Sequence, residues 1–506
     1  MKQFYAPIFN ALIDHAKNKP AGFHVPGHRY GQAMRQNLLL SHATKHPADW
    51  FSSIMELDVT ELSSTDDLHH PEASIKEAQQ LAARTFGAEE SYFLVGGSTS
   101  GNLALILTVC GAGDLIIMQR NVHKSVLNGL KLAGASVIFL SPQIDHVTGL
   151  ATIPALAQIE ETLRKYPKAK AVFLSNPNYY GMGYELEPYV ELVHKYNKPL
   201  LVDEAHGAHY GFHPKLPRSA LGAGADAVVQ SAHKTLPVLT MGAMLHIQGD
   251  RMERDGLRQA LMMIQSSSPS FPILASLDIS RAMIDSLGDK MFEQSIVSAD
   301  SFRKWLRQHS TAIQEVDRMS DRLSSNKSPV RFADPLRVVL YDSTAAMSGY
   351  VLQRLLEEQG CYAEMADPRY VVLVFGIQAS LEENNKLQDA IQKINRMTIT
   401  RADDAPEVLN EPRYGHPAAV GASSAPVSFA RDQNTNRSSA RIDLKKAVKK
   451  ISAEMVTPYP PGIAILYPGE IITPAIIKQI ELLAAAGAKF QGAADPIMAT
   501  IAVYSN

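Results

Sequence analysis

A lysine is ordinarily a solvated surface residue, and Lys234 stands out because the apolar run Val228-Val229 leads through Gln230-Ser231-Ala232-His233 directly into it. An amine at the end of a buried strand, beside a histidine, is in surroundings that lower its pKa, as it must be before it can bond a carbonyl carbon. Upstream, Leu200-Leu201-Val202 ends abruptly in Asp203. An acid there serves either as a helix cap or as a buried anion that keeps a proton on a heteroaromatic nitrogen. Further upstream lies Gly96-Gly97-Ser98-Thr99-Ser100-Gly101-Asn102, where glycines let backbone amides approach an anion, hydroxyls add donors, and the following helix presents its positive end. This stretch lacks the lysine of a Walker loop and the third glycine of a dinucleotide fingerprint. Taken singly, the segments read as a capped turn, a helix cap and a surface lysine. Together they meet the demands of pyridoxal 5'-phosphate: a phosphate cradle, a carboxylate for the ring nitrogen and an amine for the aldehyde. Ser231 offers the phosphate a second hydroxyl.

Such groups need a scaffold that brings strand ends together. From about residue 75 to 250, short apolar runs alternate with longer amphipathic ones, the pattern of repeated βα units around a mostly parallel sheet. Strands are expected at Ser91 to Val95, Leu115 to Met118, Val137 to Leu140, Ala171 to Leu174, Leu200 to Val202, Ala227 to Val229 and Met244 to Ile247. Helices are expected at Asn102 to Cys110, Val126 to Ala133, Ile153 to Tyr166 and Pro188 to Tyr196. All three chemical segments then fall at the C-terminal ends of strands, where open α/β sheets place their ligands. A polar stretch at Ser324 to Pro329 marks a boundary, after which strands at Arg337 to Tyr341, Tyr362 to Met365 and Val371 to Gly376, with helices at Gly349 to Gln359 and Leu381 to Ile394, form a small α+β unit. The expected organisation is an N-terminal segment (1–70), a cofactor-binding large domain (71–328), a small α+β domain (329–401), a polar linker (402–442) and a C-terminal domain (443–506). The last of these opens with a basic helix start at Leu444 to Lys450 and carries a helix from Pro474 to Ala486.

The chain has 506 residues, 45% of them hydrophobic, and 49 basic against 51 acidic residues give a formal charge of -2. No overall positive field exists to hold a nucleic acid or an anionic membrane. Cys110 and Cys361 lie far apart in apolar stretches and read as buried free thiols of a reducing cytosol. Asp14, Lys17 and Lys19 follow Phe9 to Ile13 too closely for a secretory signal, and no apolar run reaches the ~18 residues that span a bilayer. A cytoplasmic protein is expected.

Further motifs extend the pattern: Phe23-His24-Val25-Pro26-Gly27-His28, Asp66-Asp67-Leu68-His69, Arg120-Asn121-Val122-His123-Lys124-Ser125, Asn176-Pro177-Asn178-Tyr179-Tyr180-Gly181, Asp203-Glu204-Ala205-His206-Gly207 and Tyr459-Pro460-Pro461-Gly462. In this order they resemble the fold-type I pyridoxal phosphate enzymes of the ornithine/lysine/arginine decarboxylase family, in the short bacterial form without an N-terminal wing domain. The resemblance spans nearly the whole chain. It implies that Lys234 bonds the cofactor aldehyde, Asp203 pairs with the ring nitrogen, Ala205 packs on one ring face and His123 stacks on the other. It further implies that Ser98, Thr99, Ser231 and His233 hold the phosphate, and that the Ser266-Ser267-Ser268-Pro269 stretch, through Ser267, reaches the cofactor of a neighbouring subunit, hence at least a homodimer. Glu364 is its match for the acid that meets the substrate's distal cation, with Asp367 a second candidate. Ala73 and Asn178 depart from the family pattern, which favours glycine and threonine there.

The reaction so implied is decarboxylation of a basic L-amino acid: arginine, lysine or ornithine. Glu364 would attract the cationic end of each, because chain length is measured by pocket depth rather than by charge. The same cofactor groups also serve transamination or β-elimination, and an aminotransferase would want an arginine for a second carboxylate; Arg413 and Arg441 lie in or beside the polar linker. A catalytically silent cofactor-binding protein is a further alternative. The histidine groups His24, His28, His69, His70 and His206, His209, His213 raise a metal-dependent hydrolase as another, although they form no recognised zinc pattern and an active-site lining explains them equally well.

Overall fold

The computed structural model describes residues 3–35, 48–145, 147–316, 332–399, 426–429, 438–459, 462–485 and 487–505. It divides into two compact units, one made of 1–109, 201–214 and 218–291, the other of 110–200, 215–217 and 292–506.

In the first unit, strand Glu90–Leu94 runs antiparallel to Ala243–Ile247, which is antiparallel to Ala227–Gln230, which in turn runs parallel to 201–203 of strand Leu200–Asp203. Every residue of the last three strands is buried, so neither face of these strands alternates with polar residues toward solvent. Helix Gly97–Val109 lies close on it: a Cβ at Gly101 would stand 2.8 Å from Leu94 Cδ1 and 2.9 Å from Val229 Cγ1. Helices Pro7–Lys17, Ser74–Phe86 and Phe271–Leu287 pack together in the same unit, tied by the amide of Ile8 donating to Asp278 Oδ2 at 2.8 Å.

In the second unit, strand Leu115–Gln119 is parallel to both Ser136–Leu140 and Val172–Ser175. An antiparallel sheet in the order Met365–Ala366, Tyr370–Val374, Arg337–Asp342, Ile313–Glu315 forms a separate layer. Its core of Phe302, Leu306, Val338, Leu340, Leu352, Val371 and Ile391 is shared with helices Lys290–His309, Gly349–Glu358 and Leu381–Ile399. Near the C-terminus, Ser439–Asp443 pairs with Thr500–Tyr504, and helix Pro474–Ala485 packs its Ile476, Ile477 and Ile480 into a core with Val456, Ile465 and Ile501.

The seven strands expected between residues 91 and 247 are present, each within a residue or so of its expected ends. Several expectations need correction. The helix after the first strand begins at Gly97 rather than Asn102, so the glycine- and hydroxyl-rich stretch is the helix's own first turn. The expected strand at Tyr362 to Met365 reduces to Met365–Ala366: Gly360, at φ 72°, turns the chain out of the preceding helix, and pairing resumes only where the Glu364 amide donates to Val372 O at 3.0 Å. The basic helix at Leu444 is one 3-10 turn, Leu444–Ala447, because Lys449 and Ile451 are drawn into backbone pairing with Ile472 and Ile471. The polar 402–442 segment contains strand Val427–Ser428 on the edge of Ser136–Leu140 and most of Ser439–Asp443; its residues 402–425 and 430–437, like Ser324 to Pro329, lie outside the described residues. Cys361 is half-buried rather than buried, whereas burial pushes the Cys110 thiol up to about 12.

Candidate active site

Three chain stretches of the first unit converge on one cluster. Asp203 ends its strand with 6% of its surface exposed. Asn102, on the first helix behind the glycine stretch, donates its amide to Oδ2 at 2.9 Å, and the backbone amide of Ala205 donates to Oδ1 at 3.1 Å. Burial raises the Asp203 pKa above its ordinary value; the Asn102 bond, the Lys234 charge and the Ala205 amide pull it down without overcoming burial. The pocket thus favours a further positive partner for this carboxylate, such as a protonated ring nitrogen.

Gly97 takes φ 72°, open to glycine at no steric cost, and its amide donates to Met241 O at 2.8 Å. That turn sets Ser98 at the start of the helix, where the Ser231 hydroxyl donates to Ser98 Oγ at 2.8 Å. Two hydroxyls and a helix N-terminus in one place make an anion cradle. Thr99, in the same turn, is exposed. His233 is half-buried, and both its amide and its Nδ1 donate to Gly242 O, at 3.1 and 3.0 Å. With Nδ1 carrying that hydrogen, the ring donates through Nε2 only as imidazolium.

Lys234 sits on the short helix Ala232–Thr235, half-buried, with Nζ 3.0 Å from His206 Nε2. Its charge acts on Asp203, so the amine and the carboxylate share one neighbourhood. Ala205 is 8% exposed. Ser267 is exposed on a loop whose Ser266 carbonyl accepts a hydrogen bond from His69 Nε2 at 2.8 Å.

Other expected residues belong to the second unit. His123 caps helix Lys124–Ala133, its Nδ1 accepting from the Ser125 amide at 3.2 Å, which leaves the ring hydrogen on Nε2; its backbone bridges to Ile463. Glu364 is exposed beside strand Met365–Ala366. The Asp367 carboxylate is engaged locally, accepting from the Tyr180 hydroxyl and from the Arg369 and Tyr370 amides at 2.7 and 2.5 Å, while burial raises its pKa. It anchors a turn.

Sequence reasoning gives no individual role to Asn102, and takes His206 only as one of a histidine group. Asn102 was visible as the end of the glycine stretch, and His206 as part of the run after Asp203, but what they touch depends on turns that residue types alone do not specify. The departures also have local reasons. Ala73 has φ -124°, outside the left-handed region that demands glycine, and its amide donates to Asp66 Oδ2 at 2.9 Å. Asn178 Oδ1 accepts from the Tyr180 and Met182 amides, each at 3.0 Å, while its Nδ2 donates to Ala151 O at 3.0 Å, so the amide makes its three bonds from two separate atoms. Among the described residues no group of three or more His, Cys, Asp or Glu side chains is arranged to hold a metal ion, and no helix is long and apolar enough to cross a membrane.

Comparison with known proteins adds a family. Residues 6–383 match the model of the Orn/Lys/Arg decarboxylase major domain, and residues 422–498 that of the corresponding C-terminal domain. The chain is 37% identical over 489 residues to the uncharacterized Bacillus subtilis protein YaaO, covering 96% of each. It is 31% identical over 510 residues to the arginine decarboxylase of Bacillus anthracis, covering 99% of this chain and 98% of that one. Among solved structures, the lysine decarboxylase LdcF of Francisella novicida superposes with a TM-score of 0.82 over 99% of this chain and 82% of its own, at 21% identity, which shows a shared fold.

Proposed function

The chain belongs to the Orn/Lys/Arg decarboxylase family, and from that premise we propose that it is a pyridoxal phosphate-dependent decarboxylase converting a basic L-amino acid into its amine and CO2. The observation that carries this reading is the meeting, in one unit, of a hydroxyl-lined helix start, a buried aspartate and a lysine whose charge that aspartate feels. These groups fit the cofactor. When bound, pyridoxal phosphate supplies an electrophilic carbonyl and a protonated ring that accepts the electron pair left as CO2 departs.

The protein's part is binding, orientation and proton placement. Ser98, Ser231 and the first-turn amides hold the phosphate, with Thr99 and His233 in support. Asp203, fixed in direction by Asn102 and the Ala205 amide, keeps a proton on the ring nitrogen. Lys234 provides the bonding amine, and Ala205 the apolar surface for the ring. His123 keeps, as a proposal, the ring-stacking role that the resemblance gives it. Glu364 is proposed to attract the substrate's distal cation, with Asp367 the weaker alternative because its carboxylate already holds a turn. Ser267, on an exposed loop, suits contact with a second copy in a homodimer, and the cytoplasm is the proposed site of action.

Of the three substrates, arginine is the first choice, since the Bacillus anthracis relative that matches over its full length is named an arginine decarboxylase. The test is release of CO2 and amine from arginine, lysine and ornithine. Activity on one or more is expected, and Lys234→Ala should abolish it together with covalent cofactor attachment. Keto acid formation without CO2 would overturn the proposal.

A further inference from the structure

Lys234 and His206 reach each other from separate chain stretches, the histidine just beyond the Asp203 strand and the lysine just beyond the next. Their nitrogens lie 3.0 Å apart, and His206 is only 4% exposed. At that separation one hydrogen lies between them, in either of two states. An ammonium donates to a bare Nε2, or an amine accepts from Nε2–H. Only the amine is a nucleophile.

We propose that His206 is the proton partner of Lys234. It accepts a proton from the ε-ammonium at Nε2 and returns it when the amine is set free again. This rests on Lys234 being the residue that bonds the cofactor. In the forward step an N–H bond of the ammonium breaks, its electron pair stays on Nζ, and a new N–H bond forms at Nε2, giving amine and imidazolium. No other reactant is consumed. One positive charge remains in the pocket throughout, and the adjacent Asp203 carboxylate, whose field already reaches Lys234, stabilises it at either nitrogen. Passing the proton a single hydrogen bond away avoids expelling it to solvent from a half-buried amine.

The experiment uses the full chain freed of cofactor, as wild type, His206→Gln and His206→Asn, with two probes. Pyridoxal phosphate bonds Lys234 and is followed by visible absorbance, with borohydride reduction and peptide mapping to locate the attachment. Pyridoxine 5'-phosphate has an alcohol in place of the aldehyde, so it occupies the site without bonding the amine. Attachment at neutral pH should slow by about 10²-fold or more in both variants, the usual size of general acid–base assistance, while pyridoxine 5'-phosphate affinity stays at the wild-type value. Unchanged attachment rates overturn the proposal. So does a parallel loss of pyridoxine 5'-phosphate affinity, which would make His206 a shaping residue only; circular dichroism of both variants shows whether that loss is unfolding. If wild-type Lys234 itself takes up no pyridoxal phosphate, the cofactor reading fails, a result separate from the other two.

Discussion

Glu204 follows Asp203 directly yet is held in a different way. It is 1% exposed, with Oε1 accepting from the Ala220 amide and Oε2 from Gln230 Nε2, both at 2.7 Å. Burial pushes it up to about 8, against the lowering effect of those two bonds, with the Asp203 charge adding to the rise. A glutamate so raised is neutral at physiological pH. Its favourable contribution to folding is complete below its ordinary value of 4.5 and is lost as pH rises through about 8. Glu204→Gln keeps the neutral form, and its amide can donate to Gln230 Oε1, an atom with no hydrogen-bond partner among the described residues, once the Gln230 amide turns over. Urea midpoints from about pH 5 to pH 9 should fall in the wild type and flatten in the variant, the two agreeing at the acid end. An equally steep fall in both would sink this account. At this scale the sequence points to the residues that the fold gathers: Asp203 and Lys234 follow buried apolar strands, Ser98 lies in the glycine-rich stretch and Ser231 just ahead of Lys234, and their cofactor roles are those proposed above. The partners of Asn102 and His206 are not legible in the sequence, because each lies about 30 or more residues away and the pairing is made only by the fold.

At the level of elements, the seat of helix Gly97–Val109 decides where the anion cradle sits. The contacts of a Cβ at Gly101 with Leu94 and Val229 leave no room for a side chain. Gly101→Ala should therefore lift the helix, cost about 1–3 kcal/mol in stability as overpacked cores do, and weaken pyridoxine 5'-phosphate binding through displaced amides and Ser98. Thermal denaturation and equilibrium binding read the two effects; a destabilised variant with unaltered binding would show that the helix start is held by its turn rather than by its packing. The strands of this region were readable because both faces are buried and the runs are continuously apolar. The bounds of strand Met365–Ala366 and of the 3-10 turn Leu444–Ala447 are not legible in the sequence because backbone pairing sets them: with Val371 and Val372 just across a tight turn for the first, and with Ile471 and Ile472 for the residues that follow the second.

For the molecule as a whole, the second unit is closed by a contact between residues 350 positions apart. Arg120, 1% exposed, donates to Glu470 Oε1 and Oε2 at 2.6 and 2.7 Å. Its guanidinium lies 4.6 Å from the centre of the Tyr467 ring, which stacks on Phe139 at 4.9 Å, and the Tyr467 hydroxyl donates to Arg120 O at 2.8 Å. Burial alone would lower the Arg120 pKa, but the Glu470 bonds outweigh it and raise the value. Glu470→Gln removes the counter-charge that, among the described residues, pairs with this buried cation, and a loss of about 3–5 kcal/mol is expected in denaturant unfolding. A loss under ~1 kcal/mol would place the pair among ordinary surface bridges. None of this is legible in the sequence, where Arg120 is visible only as part of a motif and Glu470 stands in a turn that carries no chemical pattern.

That aromatic and ionic lock bears on how the protein can be dissected. A fragment that stops short of Tyr467 would bare a guanidinium and a phenylalanine face in the same socket, greasy and cationic at once. The region after the small sheet is therefore a poor place for a genetic cut, and producing the front portion separately would yield a self-adhering piece rather than an autonomous one.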